Sequence, residues 1–303
     1  MNVASQQGTL VVKRTAAASG FSDMAEAEAA FNDIGVNSFD RYMALSTRDY
    51  NGMAADLAGR QTLSGKPLTA YERAQVGMIS SFDTYKLDYA NRLTAAAGTG
   101  VTVNGANQYY TPKATSTAST GETSNVDNRY QNLDITVTSG TVKVGDCFTM
   151  AGVNSVHLIT KQDTGQLKTF RITAIVSGAG GTGTVQISPA IISAGGGTDA
   201  EKQYQNVTAT PATGAAITFL NTVDASINPF WQKDALEILP GHYAVPADSG
   251  AAVMRGTTDT GIEVVLQKQY DINTMKTKFR LDTLFGVVNK QPEMSGIMLF
   301  GQT

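Results

Sequence analysis

The sequence contains few of the residues on which catalytic and metal sites depend. It has one cysteine, Cys147, and two histidines, His157 and His242. A single cysteine excludes an intramolecular disulfide framework. The two histidines lie far apart and have no neighbouring histidine or glutamate at the close spacing that a zinc site needs. We therefore expect neither a metal site nor a cofactor.

Charge is also scarce. Lys, Arg, Asp and Glu make up 16% of the chain, and the formal net charge is -3. Binding to nucleic-acid phosphates requires a surplus of basic side chains, so we do not expect a sequence-specific DNA-binding protein. The longest apolar runs are far shorter than a membrane-spanning helix, and the first residues do not open a signal peptide. These absences indicate a soluble protein without a membrane role.

The remaining composition favours a folded, β-rich chain. Hydrophobic residues account for 42% of it, which is enough for one large core or several smaller ones. A low charge together with many Gly, Thr, Ser and Asn residues suits β-rich assemblies that bury surface between subunits. The same composition also suits secreted β proteins, so it does not decide between them.

The first 93 residues predict a mixture of helices and strands. Gly8–Val12 and Asp40–Leu45 have the apolar character of strands. Asp23 and Glu26 have capping-box spacing at the start of a helix whose apolar stripe is closed by Gly35. Further helices are predicted from Thr47 to Leu57 and, from a second capping box formed by Thr69 and Glu72, up to about Gly77. Residues 1–93 are therefore predicted to be the first part of an α+β core.

A Gly- and Thr-rich stretch, Thr94–Val223, predicts an all-β module. A small-residue linker opens it, and short β-branched segments separated by turns follow. Strands are predicted at Val101–Val103, Leu133–Val137, Cys147–Met150, Thr169–Val176 and Thr184–Ile187. Strands of this length and spacing favour a small barrel or sandwich. The tract Thr111–Asn125 has almost no apolar residue to bury and predicts a mobile loop.

Residues 224–303 predict a second α+β core part with several strands. Phe230 and Trp231 are interpreted as core packing where the β module rejoins the rest. Strands are predicted at Ile262–Gln267, Lys276–Asp282 and Phe285–Val288. Lys276–Asp282 alternates polar and apolar residues, which predicts a half-buried strand. The apolar tail, Pro292–Phe300, is predicted to be docked.

None of the candidate active sites contains a complete catalytic set. Cys147 falls at an apolar strand position with no basic neighbour, which indicates a buried, inert thiol. Gly178–Gly183 lacks the Gly-Lys-Ser/Thr ending of a phosphate loop and is better explained as a hairpin turn. No nucleophile with a matching base can be identified, so we do not expect an enzyme. A carbohydrate-handling protein stays open as an alternative that needs a pocket of acids and aromatic residues.

The densest charge in the β module comes from Arg129, Lys161, Lys168 and Arg171 with Asp127 and Asp163. These residues could form a solvated face, whose ion pairs contribute roughly 0–1 kcal/mol each. They could also pair with a neighbouring subunit. The charge pattern alone favours the solvated face.

Several motifs stand in an order that resembles a known family. Ser124–Tyr130, Val144–Val153 and Asn228–Ala235 follow one another, and the ending from Tyr270 to Glu293 adds a fourth segment. Together they resemble the major coat protein family of Salmonella-type podoviruses, the gene-5 coat proteins. The resemblance covers most of the chain and is strongest from about Thr94 onward.

The resemblance implies a capsid fold of the Hong Kong 97 type with an inserted β-barrel domain at Thr94–Val223. It implies a major capsid protein that self-assembles into pentamers and hexamers of an icosahedral shell enclosing DNA. Scaffolding and portal proteins are the other implied partners, and the implied locations are the host cytoplasm and then the virion. A tail or decoration component built on a β barrel is the alternative. Chains of this family begin with an arm, an extended loop and a spine helix, and we expect this chain to lack them because none precedes Gly8.

The resemblance also implies two loops with separate roles. A long loop, Thr111–Arg129, would contact a neighbouring capsomer, and a shorter one, His157–Lys168, would lie near the subunit's own body. The candidates for inter-subunit contacts in these loops are Glu122, Asp127, Asn128, Arg129, Lys161, Asp163 and Lys168.

Overall fold

The computed structural model describes residues 2–59, 66–245 and 250–303. It divides into two compact units. Unit 1 runs up to Ala235 and resumes at Gln291, and unit 2 is Leu236–Lys290. No helix among the described residues is long and apolar enough to cross a membrane.

The chain begins with the helices and strands of the first core part, and the observed elements match most of the predicted ones. They are α1 (Asn2–Gln7), β1 (Leu10–Lys13), α2 (Phe21–Ile34), β2 (Arg41–Ser46), α3 (Thr47–Ala58), α4 (Lys66–Arg73), β3 (Met78–Ile79), β4 (Phe82–Leu87) and β5 (Arg92–Leu93).

The middle of the chain is mostly β structure. Its elements are β6 (Thr102–Val103), β7 (Thr115–Thr117), β8 (Thr123–Asn125), β9 (Gln131–Val137), β10 (Cys147–Val156), β11 (Asp163–Ser177), β12 (Gly181–Ser188), α5 (Asp199–Tyr204) and β13 (Ile217–Phe219). The glycines between β11 and β12 form a hairpin connection, as predicted.

The remaining elements complete unit 1 and build unit 2. They are β14 (Ala225–Ser226), β15 (Asn228–Gln232), a 3-10 turn (Lys233–Ala235), β16 (Leu236–Pro240), β17 (Ala252–Thr257), β18 (Glu263–Asp271), β19 (Lys276–Thr283), β20 (Phe285–Asn289), a 3-10 turn (Pro292–Met294) and β21 (Ser295–Leu299). The predicted docked tail is confirmed, because every residue of β21 is buried.

A six-stranded mixed sheet in the order β1-β21-β15-β2-β4-β3 forms the first layer of unit 1. The apolar stripe predicted for α2 is confirmed, because Met24, Ala27, Phe31 and Ile34 are buried in the core of this layer. Gly35 ends the helix in the left-handed conformation at φ 83°, which glycine adopts without steric cost. The sequence therefore sets the buried face and the end of this helix.

Both predicted capping boxes are wrong in register. The helix α2 begins at Phe21, so Asp23 is its third residue and its carboxylate accepts the N–H groups of Ser19 and Gly20. The helix α4 begins at Lys66, so Thr69 lies inside it. An acidic residue stands in the first turn of α2, but none stands in the first turn of α4, and both helices begin further towards the N-terminus than predicted.

The second sheet of unit 1 is a barrel. Its six strands have the order β13-β10-β11-β12-β9-β6. Backbone hydrogen bonds from Val103 N to Ala215 O (3.0 Å) and from Ile217 N to Val101 O (2.9 Å) join the two end strands. Side chains of Leu133, Phe170 and Val185 fill its interior. The predicted small barrel is therefore present.

The segments that enter and leave the barrel lie side by side. Strand β5 pairs with β14, and the Asn221 Nδ2 donates to Thr94 O at 2.9 Å. The N–H of Ala96 donates to Asn221 O at 2.8 Å. The chain thus leaves the first sheet and returns to it at neighbouring positions.

Unit 2 contains the three-stranded sheet β17-β18-β19 and the pair β16-β20. Direct cross-strand partners lie on the same face of a sheet, and Met254, Leu266 and Leu281 are such partners. The opposite face carries Arg255, Glu263 and Asp282, and Arg255 Nη1 lies 2.6 Å from Glu263 Oε1. One face is therefore mainly apolar, with Lys268 Nζ 5.6 Å from the centre of the Phe279 ring, and the other carries charged residues beside the buried Val265.

Candidate assembly surfaces

The predicted mobile loop Thr111–Asn125 contains a β-hairpin. Strands β7 and β8 pair from Thr115 with Asn125 to Thr117 with Thr123, and all of their residues are exposed. The segment is therefore partly regular and exposed, and its predicted mobility stays a prediction. Hydrogen bonds between backbone groups suffice to form this hairpin without apolar side chains, which is why the hydrophobic pattern gave no signal for it.

Asn128 fastens the base of this hairpin. Its Oδ1 accepts the Tyr110 hydroxyl at 2.9 Å and the Lys113 N–H at 3.0 Å, and its Nδ2 donates to Lys113 O at 2.9 Å. The carboxamide thus uses donor and acceptor groups together to join the two ends of the hairpin. Of the predicted contact residues, Asn128 has an intramolecular structural role.

Asp127 and Arg129 form an ion pair at the same place. Arg129 Nη2 lies 2.5 Å from Asp127 Oδ2, and Arg129 Nε lies 2.9 Å from Asp127 Oδ1. The hydrogen bond from Arg129 holds the pKa of Asp127 below its usual value, and the same bond raises the pKa of Arg129. Glu122 lies at the exposed end of the hairpin. This arm therefore presents fixed charges to the solvent.

The shorter loop, His157–Lys168, lies against helix α2. The N–H of Leu158 donates to Ile34 O at 3.2 Å. The imidazole of His157 is so close to Gly35 that a Cβ atom there would lie 2.7 Å from its Nε2. Lys161 Nζ donates to Gln205 O at 3.0 Å, and Asp163 Oδ1 accepts the Gly165 N–H at 2.8 Å.

Lys168 is a correction to the predicted contact set. It is 2% exposed, and its ammonium group binds the carboxylate of Glu293 inside unit 1. Asn206 Nδ2 donates to the same carboxylate oxygen at 3.3 Å. The ammonium group is therefore not available to a neighbouring subunit. Arg171, from the same charge cluster, is also 2% exposed.

The predicted packing pair Phe230 and Trp231 is divided between two faces. Phe230 is fully buried against Phe31 and Phe82, at ring-centroid distances of 5.0 and 6.0 Å. Trp231 is half-buried and lies 6.1 Å from the Tyr42 ring. Successive side chains of a strand point to opposite faces. The interpretation as core packing is therefore right for Phe230 and wrong for Trp231.

Sequence reasoning missed an exposed apolar surface in unit 2. The apolar face of unit 2 is formed by Met254, Val264, Leu266, Tyr270, Phe279 and Leu281. Met254, Phe279 and Leu281 are 69%, 65% and 70% exposed. The prediction that Lys276–Asp282 is half-buried is therefore wrong, although its alternation is real. A contiguous exposed apolar surface is characteristic of an interaction site.

The single thiol, Cys147, is buried. Burial raises the pKa of the Cys147 thiol to about 11, and a protonated thiol is a poor nucleophile. Among the described residues, no group of three or more His, Cys, Asp and Glu could hold a metal ion. Of two cavities in unit 1, one has tyrosines without acids and the other has acids without aromatic residues. Neither has the lining that the carbohydrate-handling alternative requires.

Two comparisons with known proteins found matches. A family model described as "P22 coat protein - gene protein 5" matches residues 1–301. A solved structure titled "CUS-3 coat protein I-domain" is similar to part of the chain, with 45% sequence identity and a TM-score of 0.30. That match covers 43% of this chain and 98% of the solved one. Because the family model spans nearly the whole sequence, the chain belongs to the P22 coat protein family and is a major capsid protein of a bacteriophage.

Proposed function

We propose that the chain is a shell subunit whose apolar face of unit 2 becomes covered by polypeptide when the capsid assembles. The exposure of Met254, Phe279 and Leu281 on one face of one sheet is the observation that carries this proposal. Burial of apolar surface contributes about 25 cal/mol per Å². A subunit that leaves such a face in water therefore gains stability by covering it.

This proposal agrees with what the family implies. The P22 coat proteins are structural and not enzymatic, and a coat protein belongs to the virion capsid and associates with copies of itself. We propose pentamers and hexamers as the form of this association. Contacts with scaffolding and portal proteins, enclosure of DNA without sequence readout, and synthesis in the host cytoplasm are further proposals that follow from the resemblance.

Replacing Leu281 by aspartate should prevent shell formation while leaving the subunit folded. A charge on the apolar face cannot be buried without a large desolvation cost, whereas an exposed side chain contributes little to the subunit's own stability. Electron microscopy should show closed shells for the parent chain and only small particles for Leu281→Asp. Ile272→Asp is the matched control, because Ile272 is 81% exposed but lies in the turn between β18 and β19.

Two outcomes would contradict this proposal. The first is a parent chain that stays monomeric under every assembly condition. The second is a Leu281→Asp variant that forms the same shells as Ile272→Asp. A loss of shells together with a lower melting temperature would point to misfolding. The melting temperature of each variant is therefore measured alongside the electron microscopy.

We further propose that the first sheet of unit 1 with α2 and α3 is a core of the Hong Kong 97 type, and that Thr94–Val223 is a barrel domain inserted into it. The pairing of β5 with β14 at the base of the barrel supports the insertion. The barrel interior is formed by residues of this segment alone, from Val101 to Ile217.

An excised fragment of residues 94–223 should therefore fold by itself. Its apolar core is complete. Lys168 would lose Glu293, and Arg171 would lose Ser5 and Gly8 but keep Gly145, while both cations gain hydration. Circular dichroism should show a β spectrum and one cooperative thermal transition. A spectrum of an unfolded chain, or a gradual loss of signal on heating, would contradict the proposed domain.

We also propose that the exposed arm at Thr111–Arg129 contacts a neighbouring capsomer through Glu122, Asp127 and Arg129. The shorter loop, with Lys161 and Asp163, is proposed to stay with the subunit's own body. The fixed Asp127–Arg129 pair at the base of an exposed hairpin supports the first assignment.

Arg129→Glu should leave the subunit folded but lower the stability of assembled particles. The substitution places two like charges where an ion pair exists, so it removes the fixed positive charge that a neighbour would meet. Particle dissociation in denaturant, followed by light scattering, measures the effect. Lys113→Glu, also on the exposed arm, is the control, and equal weakening by both variants would show a general charge effect and not a contact.

A further inference from the structure

A cavity of about 900 Å³ lies in unit 1 between three segments of the chain. The end of helix α1, the segment Tyr89–Leu93 and the barrel strands β11 and β12 contribute its walls. Its volume falls in the range of small-molecule sites, which is about 300–1,000 Å³. The role of a shell subunit does not account for this cavity.

Arg171, which is 2% exposed, is one of the residues that line the cavity. Its Nη1 donates to the backbone carbonyls of Ser5 and Gly8, and its Nε donates to Gly145 O at 3.3 Å. Its Nη2 donates to no residue in the described part of the chain. A buried cation that binds only carbonyl oxygens retains an uncompensated positive charge.

No carboxylate among the described residues lies within ion-pair distance of Arg171. Asp146 attracts it electrostatically, but the Asp146 carboxylate accepts hydrogen bonds from Asn221 Nδ2 and from the Lys143 N–H. Burial lowers the pKa of Arg171, and the attraction to Asp146 opposes this shift. A buried arginine usually has a carboxylate or phosphate partner.

The other residues that line the cavity add positive charge and hydrogen-bond donors. It includes a second cation, the exposed Arg92, and no aspartate or glutamate. This is notable in a chain with 26 acidic and 23 basic residues. The Gln186 Oε1 accepts the Thr173 hydroxyl at 3.1 Å, so its amide group has N–H donors left for the cavity. The lining thus offers donors and positive charge together.

We propose that this cavity binds a small molecule carrying a phosphate group, with Arg171 Nη2 and Arg92 as the anion-binding residues. A planar guanidinium donates two parallel hydrogen bonds to an oxyanion. The cavity has room for more than the anion alone, and Tyr89 and Tyr130 are also among its lining residues. The ligand class is therefore a phosphorylated metabolite of about nucleotide size.

Such a ligand would stabilise the packing of the three segments around the cavity, which are distant in sequence. The Arg171 side chain already joins the N-terminal helix to the barrel through Ser5, Gly8 and Gly145. An anion bound to its Nη2 would offset the charge that these contacts leave uncompensated. Binding to the folded state alone raises the melting temperature in proportion to the logarithm of ligand concentration.

The proposal is tested with the full chain by isothermal titration calorimetry at constant ionic strength. The probes are inorganic phosphate, adenosine monophosphate and adenosine. Inorganic phosphate and adenosine monophosphate should bind saturably, the nucleotide more tightly, and both should raise the melting temperature. Adenosine, which lacks the phosphate, should bind at least tenfold more weakly than the nucleotide.

Two variants locate the site. Arg92→Gln should weaken phosphate binding about tenfold, whereas Arg48→Gln, an exposed arginine on α3, should leave it unchanged. Because Arg171→Gln could unfold the chain, the Arg171 side-chain N–H resonances serve as the second measurement and should shift on titration. No saturable binding, equal weakening by both variants, or unmoved Arg171 resonances would each overturn the proposal.

Discussion

Replacing Glu293 by glutamine is expected to destabilise the subunit by about 3–5 kcal/mol. This change removes the partner of a buried charge, because Lys168 is 2% exposed and its ammonium binds the Glu293 carboxylate. Removing one partner of a buried ion pair leaves the other charge desolvated and uncompensated, which costs more than the pair itself contributes. Urea unfolding of the purified subunit measures the difference.

The two partners should differ in a way that identifies the cause. Glu293 keeps 23% of its side chain in water, so Lys168→Met leaves a carboxylate that water and Asn206 still solvate. Lys168→Met should therefore cost less than Glu293→Gln, and the double variant should recover part of the loss. The exposed pair Lys202–Asp199 is the control, and Lys202→Met should change the stability by no more than about 1 kcal/mol. Equal losses of unfolding free energy for Glu293→Gln and Lys202→Met would contradict the burial of the Lys168–Glu293 pair.

Phe230→Ala is expected to cost about 3–5 kcal/mol of unfolding free energy. Its ring is fully buried between Phe31 and Phe82. It also lies directly over Gly296 on the neighbouring strand, where a Cβ atom would collide with the ring. The truncation leaves a cavity where the ring was. The neighbouring strands cannot move into it without breaking the hydrogen bonds of the sheet, so most of that space stays empty.

Trp231→Ala is the matched control for this prediction. Trp231 precedes the end of the same strand and is larger than Phe230, yet it is half-buried on the opposite face. Its removal should cost clearly less than the removal of Phe230. Thermal and urea unfolding of both variants would measure the difference. A larger loss for Trp231→Ala would show that the two faces of β15 have been assigned in reverse.

The parts of the fold that could be predicted are those with local signals. The stripe on α2 and the glycine that ends it gave the helix and its buried face. Alternation and turn glycines gave most of the barrel strands, including the hairpin between β11 and β12. In each case the determinants lie within a few residues of one another, so one sequence carries enough information.

The wrong predictions concern features whose determinants lie far apart in the sequence or in another molecule. The burial of Lys168 depends on Glu293, which lies 125 positions further along the chain. Alternation in Lys276–Asp282 shows that two faces differ, but it does not show whether the apolar face is covered. The opposite burial of Phe230 and Trp231 follows from strand geometry, once the strand is known. Contacts over long sequence distances and the presence of a covering partner are not encoded in local pattern.

Three of the proposed contact residues also have partners within the subunit. Asn128 is bound to Tyr110 and Lys113 within the subunit, and its role is to hold the arm in place. Asp127 and Arg129 form a pair that is complete before any neighbour arrives. A residue's charge therefore predicts that it makes a polar contact but does not predict with which molecule.

Hydroxyl-radical footprinting of Met254, Phe279 and Leu281 tests the central claim most directly. The measurement compares the oxidation rates of these side chains in free subunits and in assembled shells, with Ile272 as an exposed reference in the same unit. The apolar face of unit 2 should be oxidised readily in the free subunit and strongly protected in the shell, while Ile272 changes less. Equal oxidation of the face in both states would contradict its burial on assembly.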